Sequence, residues 1–212
     1  MTPKQRKKKT EQLLVAEGIP FNPLLPCVTA ESETRLRSPR EVGLRVLCLF
    51  CVVGTAYGTS NDAWKGYLQH YQFWSALSPA EQRFLLEPND TDASRFTWRS
   101  ESLVPLMWAL HLFDELPLPR HETDSEEIVA RLPALNDPPE PFFHSLTLRP
   151  VSDILDVSDL IYRLHWATRN ASSTNQPVPG QLHQGVIQQW HRAINWLTNH
   201  QNREWDEVST DT

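Results

Sequence analysis

Ser38-Pro39-Arg40-Glu41-Val42-Gly43-Leu44-Arg45 runs without a break into Val46-Leu47-Cys48-Leu49-Phe50-Cys51-Val52-Val53. The first four residues are a complete helix start. The Ser38 hydroxyl can accept from the amide of Glu41, and the Glu41 carboxylate can accept from Ser38 in return. Pro39 stands at the first helical position, where its missing N–H removes no bond. The second block is apolar on every side, as a helix surrounded by other helices must be. A buried strand of that length is the competing reading, but the cap upstream and Ala56 and Tyr57 downstream favour one helix to about Tyr57. Val46, Leu49, Phe50 and Val53 are then expected to be nearly fully buried. Glu41, four residues before Arg45, is placed for an exposed pair with it. Cys48 and Cys51 have CxxC spacing, yet redox and zinc motifs need an exposed helix start or further ligands, so both read as packing. Gly54 and Gly58 allow another helix to approach closely, with Gly58 as a C-terminal cap.

The same cap grammar recurs at Ser78-Pro79-Ala80-Glu81, for a short helix to about Leu86, and at Asp124-Ser125-Glu126-Glu127, for a brief helix closed by Pro133. Between them lie an aromatic segment (Trp64, Tyr67, Tyr71, Phe73, Trp74) and a helix over about 98–113 that contains Pro105. Residues 133–150 hold five prolines and read as an ordered loop pinned by Phe142 and Phe143. Two long helices follow, roughly 151–171 and 182–199. Sustained alternation of period two is absent, and so is an internal repeat. The expectation is all-α: a basic arm or helix over 1–16, then a single compact multi-helix domain over 17–212 with a docked C-terminal tail.

The chain has 212 residues, 40% hydrophobic and 22% charged. At that length about 70% of the unfolded surface is buried on folding, which needs neither disulfides nor a structural metal. Seven Gly argue against glycine-rich phosphate loops, and three Cys suit a reducing, cytoplasmic setting. The net charge of −6 is uneven: residues 1–10 carry +5 and the rest −11. An acidic body argues against general nucleic-acid binding. The basic head reads as a solvated tail, with a nucleic-acid arm or a localisation signal as alternatives. Val46–Val53 is too short to cross a membrane, and no secretory leader is expected.

No cofactor or metal is expected. Asp153, Asp156 and Asp159 repeat every third residue but drift through about 120° around a helix. The eight His form no HxxxH or HExxH pair, and GxSxG, GxGxxG and GxxxxGK are absent. The informative segment is Asp159–Trp166. On a wheel Ile154, Val157, Leu160, Ile161, Leu164 and Thr168 make the core face. Leu155, Asp159, Tyr162, Arg163, Trp166 and Asn170 make the opposite stripe, with His165 at the border. A stripe holding Tyr and Trp is covered by another element or forms a groove. On the next helix Arg192 and Trp196 lie one turn apart. The candidate groove therefore takes in Asp159, Tyr162, Arg163, His165, Trp166, Arg192 and Trp196. It also takes in Trp205, Asp206 and Asp211 from the tail, which is expected to place its carboxylates on Arg163 and Arg192 and Trp205 beside Trp196 or Trp166. The arginines themselves read as structural, stacked on Trp and paired with Asp159 or the tail.

Arg37–Val42, Leu77–Glu81, Tyr162–Trp166, Ala193–Leu197 and the final Trp205–Thr212, in that order, resemble domain-of-unknown-function family 4272. The family pattern carries an acid where His191 stands. The resemblance implies a bacterial cytoplasmic helical protein and brings no activity or catalytic residues. The leading functional expectation is a non-enzymatic, protein-binding or immunity-like accessory module with a basic partner. The alternative is an enzyme on a small anionic substrate, with His165 as acid/base and Arg163 and Arg192 holding the anion. A third reading is nucleic-acid contact through the basic head.

Overall fold

In a computed structural model describing residues 1–212, the chain forms α1 (Pro3–Ala16), α2 (Pro39–Ala56), α3 (Asn61–His70), α4 (Pro79–Leu86) and α5 (Asp90–Thr97). It continues through α6 (Arg99–Ala109), α7 (Ser125–Val129), α8 (Glu140–Ser145), α9 (Val151–Ser173) and α10 (Gln184–Leu197). There is no strand. The predicted caps form: Ser38 and Ser78 each accept from the amide three residues on, and Glu41 and Glu81 return the bond. Thr2 and Gln5 make a third such box ahead of α1. α2 ends as its glycines require. Thr59 N–H donates to Gly54 C=O and Gly58 N–H to Thr55 C=O, with Gly58 at φ +78°. A Cβ on Gly54 would lie 2.6 Å from the Trp64 ring, so only glycine lets α3 seat there.

In space the long helices stack α1, α9, α10, α6, α2, and α3, α4 and α5 pack on the far side of α2. The main core lies among α2, α6 and α10, and the all-round apolar run of α2 passes through it. A smaller cluster of Leu14, Ile19, Leu164, Ala167, Leu182 and Ile187 sits beneath α1. No helix is long and apolar enough to cross a membrane.

Four expectations are corrected. Phe50 is half-buried, edge-on to Trp64 at 5.2 Å, because it lies toward the α2–α3 seam. Arg45 makes no exposed pair with Glu41, whose carboxylate is spent capping Ser38. It is buried instead, and its Nη1 donates to both carboxylate oxygens of Glu81 at 3.0 Å. The region over 98–113 is shorter and preceded by a separate α5 capped by Asn89. The proline-rich loop contains α8, which buries Phe143 against α2 while Phe142 stays half-buried.

The basic head is likewise no solvated tail. Arg6 is fully buried; its Nε donates to Asp156 at 2.7 Å and its Nη2 to Glu31 at 2.8 Å. Lys9 pairs with Asp156, and Lys7 donates to the carbonyls of Pro23 and Leu25. Burial works against the Asp156 carboxylate, but the bonds from Lys9 and Arg6 hold it below its ordinary pKa. Two acids far away in sequence thus turn a cationic arm into a docked helix.

Candidate functional site

Asp159 and Arg163 stand one turn apart on α9 and form a two-pronged pair: Nε to Oδ2 at 3.0 Å and Nη2 to Oδ1 at 2.8 Å. Both side chains are fully buried beneath α1 and the Pro26 loop, and Nη2 also donates to the Pro26 carbonyl. Arg163 is therefore closed to any ligand. Trp166, half-buried, packs on the small cluster beneath α1. The part of the stripe around Asp159, Arg163 and Trp166 is covered by the N-terminal helix and the Pro26 loop, whereas Leu155 and Tyr162 line a cleft. Val157 and Leu160, expected on the core face, are only half-buried.

The tail docks, with Trp205 and Val208 buried and Trp205 edge-on to Trp196 at 5.6 Å. Its carboxylates do not go to the two arginines. Arg163 is already paired with Asp159 in its own helix. Arg192 Nη1 donates to the Trp205 carbonyl at 3.0 Å. Asp206 accepts from Ala80 N–H at the positive end of α4, and Asp211 accepts from the Ser209 hydroxyl. Asn195 donates to the Ser209 carbonyl, while Arg37 stacks on Trp196 at 4.4 Å and donates to the Trp196 and Arg203 carbonyls.

Between α9, α10, the loop over 26–35 and the segment over 199–211 lies a cleft of about 640 Å³. Apart from Cys27, Val28, Leu155 and the Tyr162 ring its lining is polar. Of the residues expected to form a groove, Tyr162 and Asp211 line it. His165 lies directly behind it. Asp159, Arg163, Trp166, Arg192, Trp196, Trp205 and Asp206 are elsewhere. One rim is strained: Asn199, Gln201 and Asn202 all have left-handed backbones, at φ +51°, +57° and +52°. Asn tolerates that region; a Gln held there costs about 1 kcal/mol.

His191 on the cleft wall meets His165 Nδ1 to Nδ1 at 2.8 Å, so one imidazole donates and the other accepts. Burial pushes the pKa of both below the ordinary histidine value. Arg169 adds to this at His165 and His165 adds to it at His191, while Asp211 and the Thr210 carbonyl oppose it at His165. His200 on the rim is lowered by burial, and the Tyr162 phenol is raised by it. At neutral pH the pair is uncharged and its Nδ1 atoms are occupied with each other, which makes it a weak proton acceptor. No three His, Cys, Asp or Glu converge where they could hold a metal ion. What the cleft offers is hydrogen bonding: hydroxyls, amides, the imidazoles of His191 and His200, and the exposed charges of Glu33, Arg35 and Asp211.

Residues 6–208 match the family described as Domain of unknown function (DUF4272). The chain belongs to this family. No curated protein and no solved structure matches it significantly. In this DUF4272 chain the cleft residues that sequence reasoning missed are His191, Asn195 and the loop over 26–35. The loop has no periodicity to read.

Proposed function

We propose that the protein is a non-catalytic binding module whose cleft receives a polar, basic segment of a partner protein, as an accessory or immunity-like protein does when it occupies its partner. The observation that carries this is a well-formed polar cleft whose histidines are tuned away from proton transfer at neutral pH. An enzyme needs an acid or base with a pKa near its working pH; a binding cleft needs donors and acceptors held in place, and here Asn195, Arg37 and the docked tail hold them. In the cleft the acids Glu33 and Asp211 outnumber the base Arg35, and outside residues 1–10 the chain is strongly acidic, which suits a basic partner. A photoreactive side chain at Thr34, on the cleft, should capture a partner that the same group at Asp62, on α3, does not. With the purified pair, Glu33→Lys with Asp211→Lys should weaken binding about tenfold or more. Equal capture from both positions would defeat this reading. So would small-molecule turnover abolished by His191→Ala, which would restore the enzyme.

A further inference from the structure

Around Trp205 the docked tail meets a second group of charged side chains, two of which lack a carboxylate partner. Trp205 sits among three guanidinium groups: Arg45 and Arg99 lie over its ring at 5.2 and 5.8 Å, and Arg192 donates to its carbonyl. Arg45 is neutralised by Glu81. Arg99 and Arg192 are half-buried, and neither has a carboxylate within salt-bridge distance.

Among the buried and half-buried arginines, donor use separates these two from the rest, each of which engages two of its nitrogens, Arg45 through Nη1 and Nη2. Arg6, Arg37, Arg120, Arg149 and Arg163 each engage the fork formed by Nε and Nη2 with acceptors of the protein. Arg99 and Arg192 each spend Nη1 alone, on Gln189 at 3.0 Å and on the Trp205 carbonyl at 3.0 Å. Arg99 Nε is buried with no acceptor at all. Gln189 and Arg192 are three apart on α10, so both face the first turn of α6, where Arg99 stands. Arg95, one turn earlier on α5, adds a third positive charge at the rim, and its partner Asp92 is on the exposed surface. The acids that act on the two are Glu81, chiefly at Arg99, and Asp206, chiefly at Arg192. Glu81 is spent on Arg45, Asp206 accepts from Ala80 N–H, and both stay beyond ion-pair distance of Arg99 and Arg192. Burial above all makes the protonated forms of Arg99 and Arg192 harder to keep. At Arg99 the Arg192 and Arg95 charges add to it against Glu81 and Asp206, and at Arg192 Asp206 opposes it while Arg95 adds to it.

Desolvated like charges with empty forks are what a bound oxyanion would complete, since the Nε–Nη2 edge matches two oxygens of a phosphate. We propose that Arg99 and Arg192, with Arg95 at the rim, form a binding site for a phosphate-type oxyanion, as free phosphate or as a phosphate monoester. The site lies apart from the cleft and does not depend on the binding role proposed for it.

The test follows the ¹⁵N–H signals of the arginine Nε groups while inorganic phosphate or O-phosphoserine is added at constant ionic strength set with chloride. The Arg99 and Arg192 signals should move saturably with either probe, and the tighter of the two identifies the source. Arg99→Gln and Arg192→Gln should each weaken binding about tenfold. Asp206→Asn keeps an acceptor for Ala80 but removes the competing charge, and should tighten binding roughly threefold or more. The absence of a saturable shift, unchanged affinity in both glutamine variants, or equal or weaker binding by Asp206→Asn would overturn the proposal.

Discussion

His165 on α9 and His191 on α10 touch Nδ1 to Nδ1 at 2.8 Å, both buried, so the two longest C-terminal helices are joined by a contact that tolerates one proton between the rings and not two. In the unfolded chain each imidazole titrates near 6.5, whereas in the fold burial first, then the charges around each ring, hold His165 at about 4 and His191 at about 3. Between those values the unfolded state binds more protons. Stability is therefore complete above about pH 6.5 and falls as the pH drops toward 4, by at most roughly 3 kcal/mol for each ring. Urea unfolding across this range should show the slope, and His191→Gln should flatten it. Carboxylates such as Asp156, also lowered, act below this window.

Asp159→Ala leaves the buried Arg163 with only the Pro26 carbonyl and Glu11 at 4.0 Å, and should cost about 3 kcal/mol. Asp159→Ala with Arg163→Met should recover most of that loss, because the pair then disappears as a unit. A double-mutant cycle by chemical denaturation measures the difference; simple additivity would mean the pair is not coupled.

Trp205→Ala removes a buried ring that Trp196, Arg45 and Arg99 pack against, and should cost about 3–5 kcal/mol. Truncation after Glu204 should lower the melting temperature at least as much. An unchanged melting temperature would mean that the tail does not dock in solution.

Burial pushes the Cys48 thiol up to about 11 and raises Cys51 as well, while Cys27 is partly exposed. In the native protein a thiol reagent should label Cys27 first and leave the α2 cysteines unreacted until denaturant is added. Prompt native labelling of Cys48 and Cys51 would reopen their redox chemistry.

The helices were legible wherever the cause is local. Ser38 and Glu41 are three residues apart, and the apolar run after Arg45 is its own signal. The missed ion pairs are long-range. Arg45 finds Glu81 from 36 residues away, and Arg6 finds Asp156 from 150. No spacing rule reaches that far. Phe50 looked central because every neighbour in sequence is apolar; half-exposed on the α3 side, Phe50→Ala should cost nearer 1–2 than 3–5 kcal/mol. The tail shows both sides: Trp205 and Val208 announced that it would dock, but Asp206 reached the first turn of α4 and not a guanidinium. The cleft was least legible because its walls are loops, and only Tyr162 and Asp211 among the candidate residues line it.

The docking of α1 on α9 has a consequence measured in seconds. Some 150 residues separate Arg6 from Asp156. At a synthesis rate of about 5–20 residues per second, the first helix waits roughly 8–30 s for its seat. During that interval Leu14 has no shelter. Glu31, 25 residues on from Arg6, is made early enough to meet it first, so the helix acquires one of its two acids well before Asp156 closes the pair.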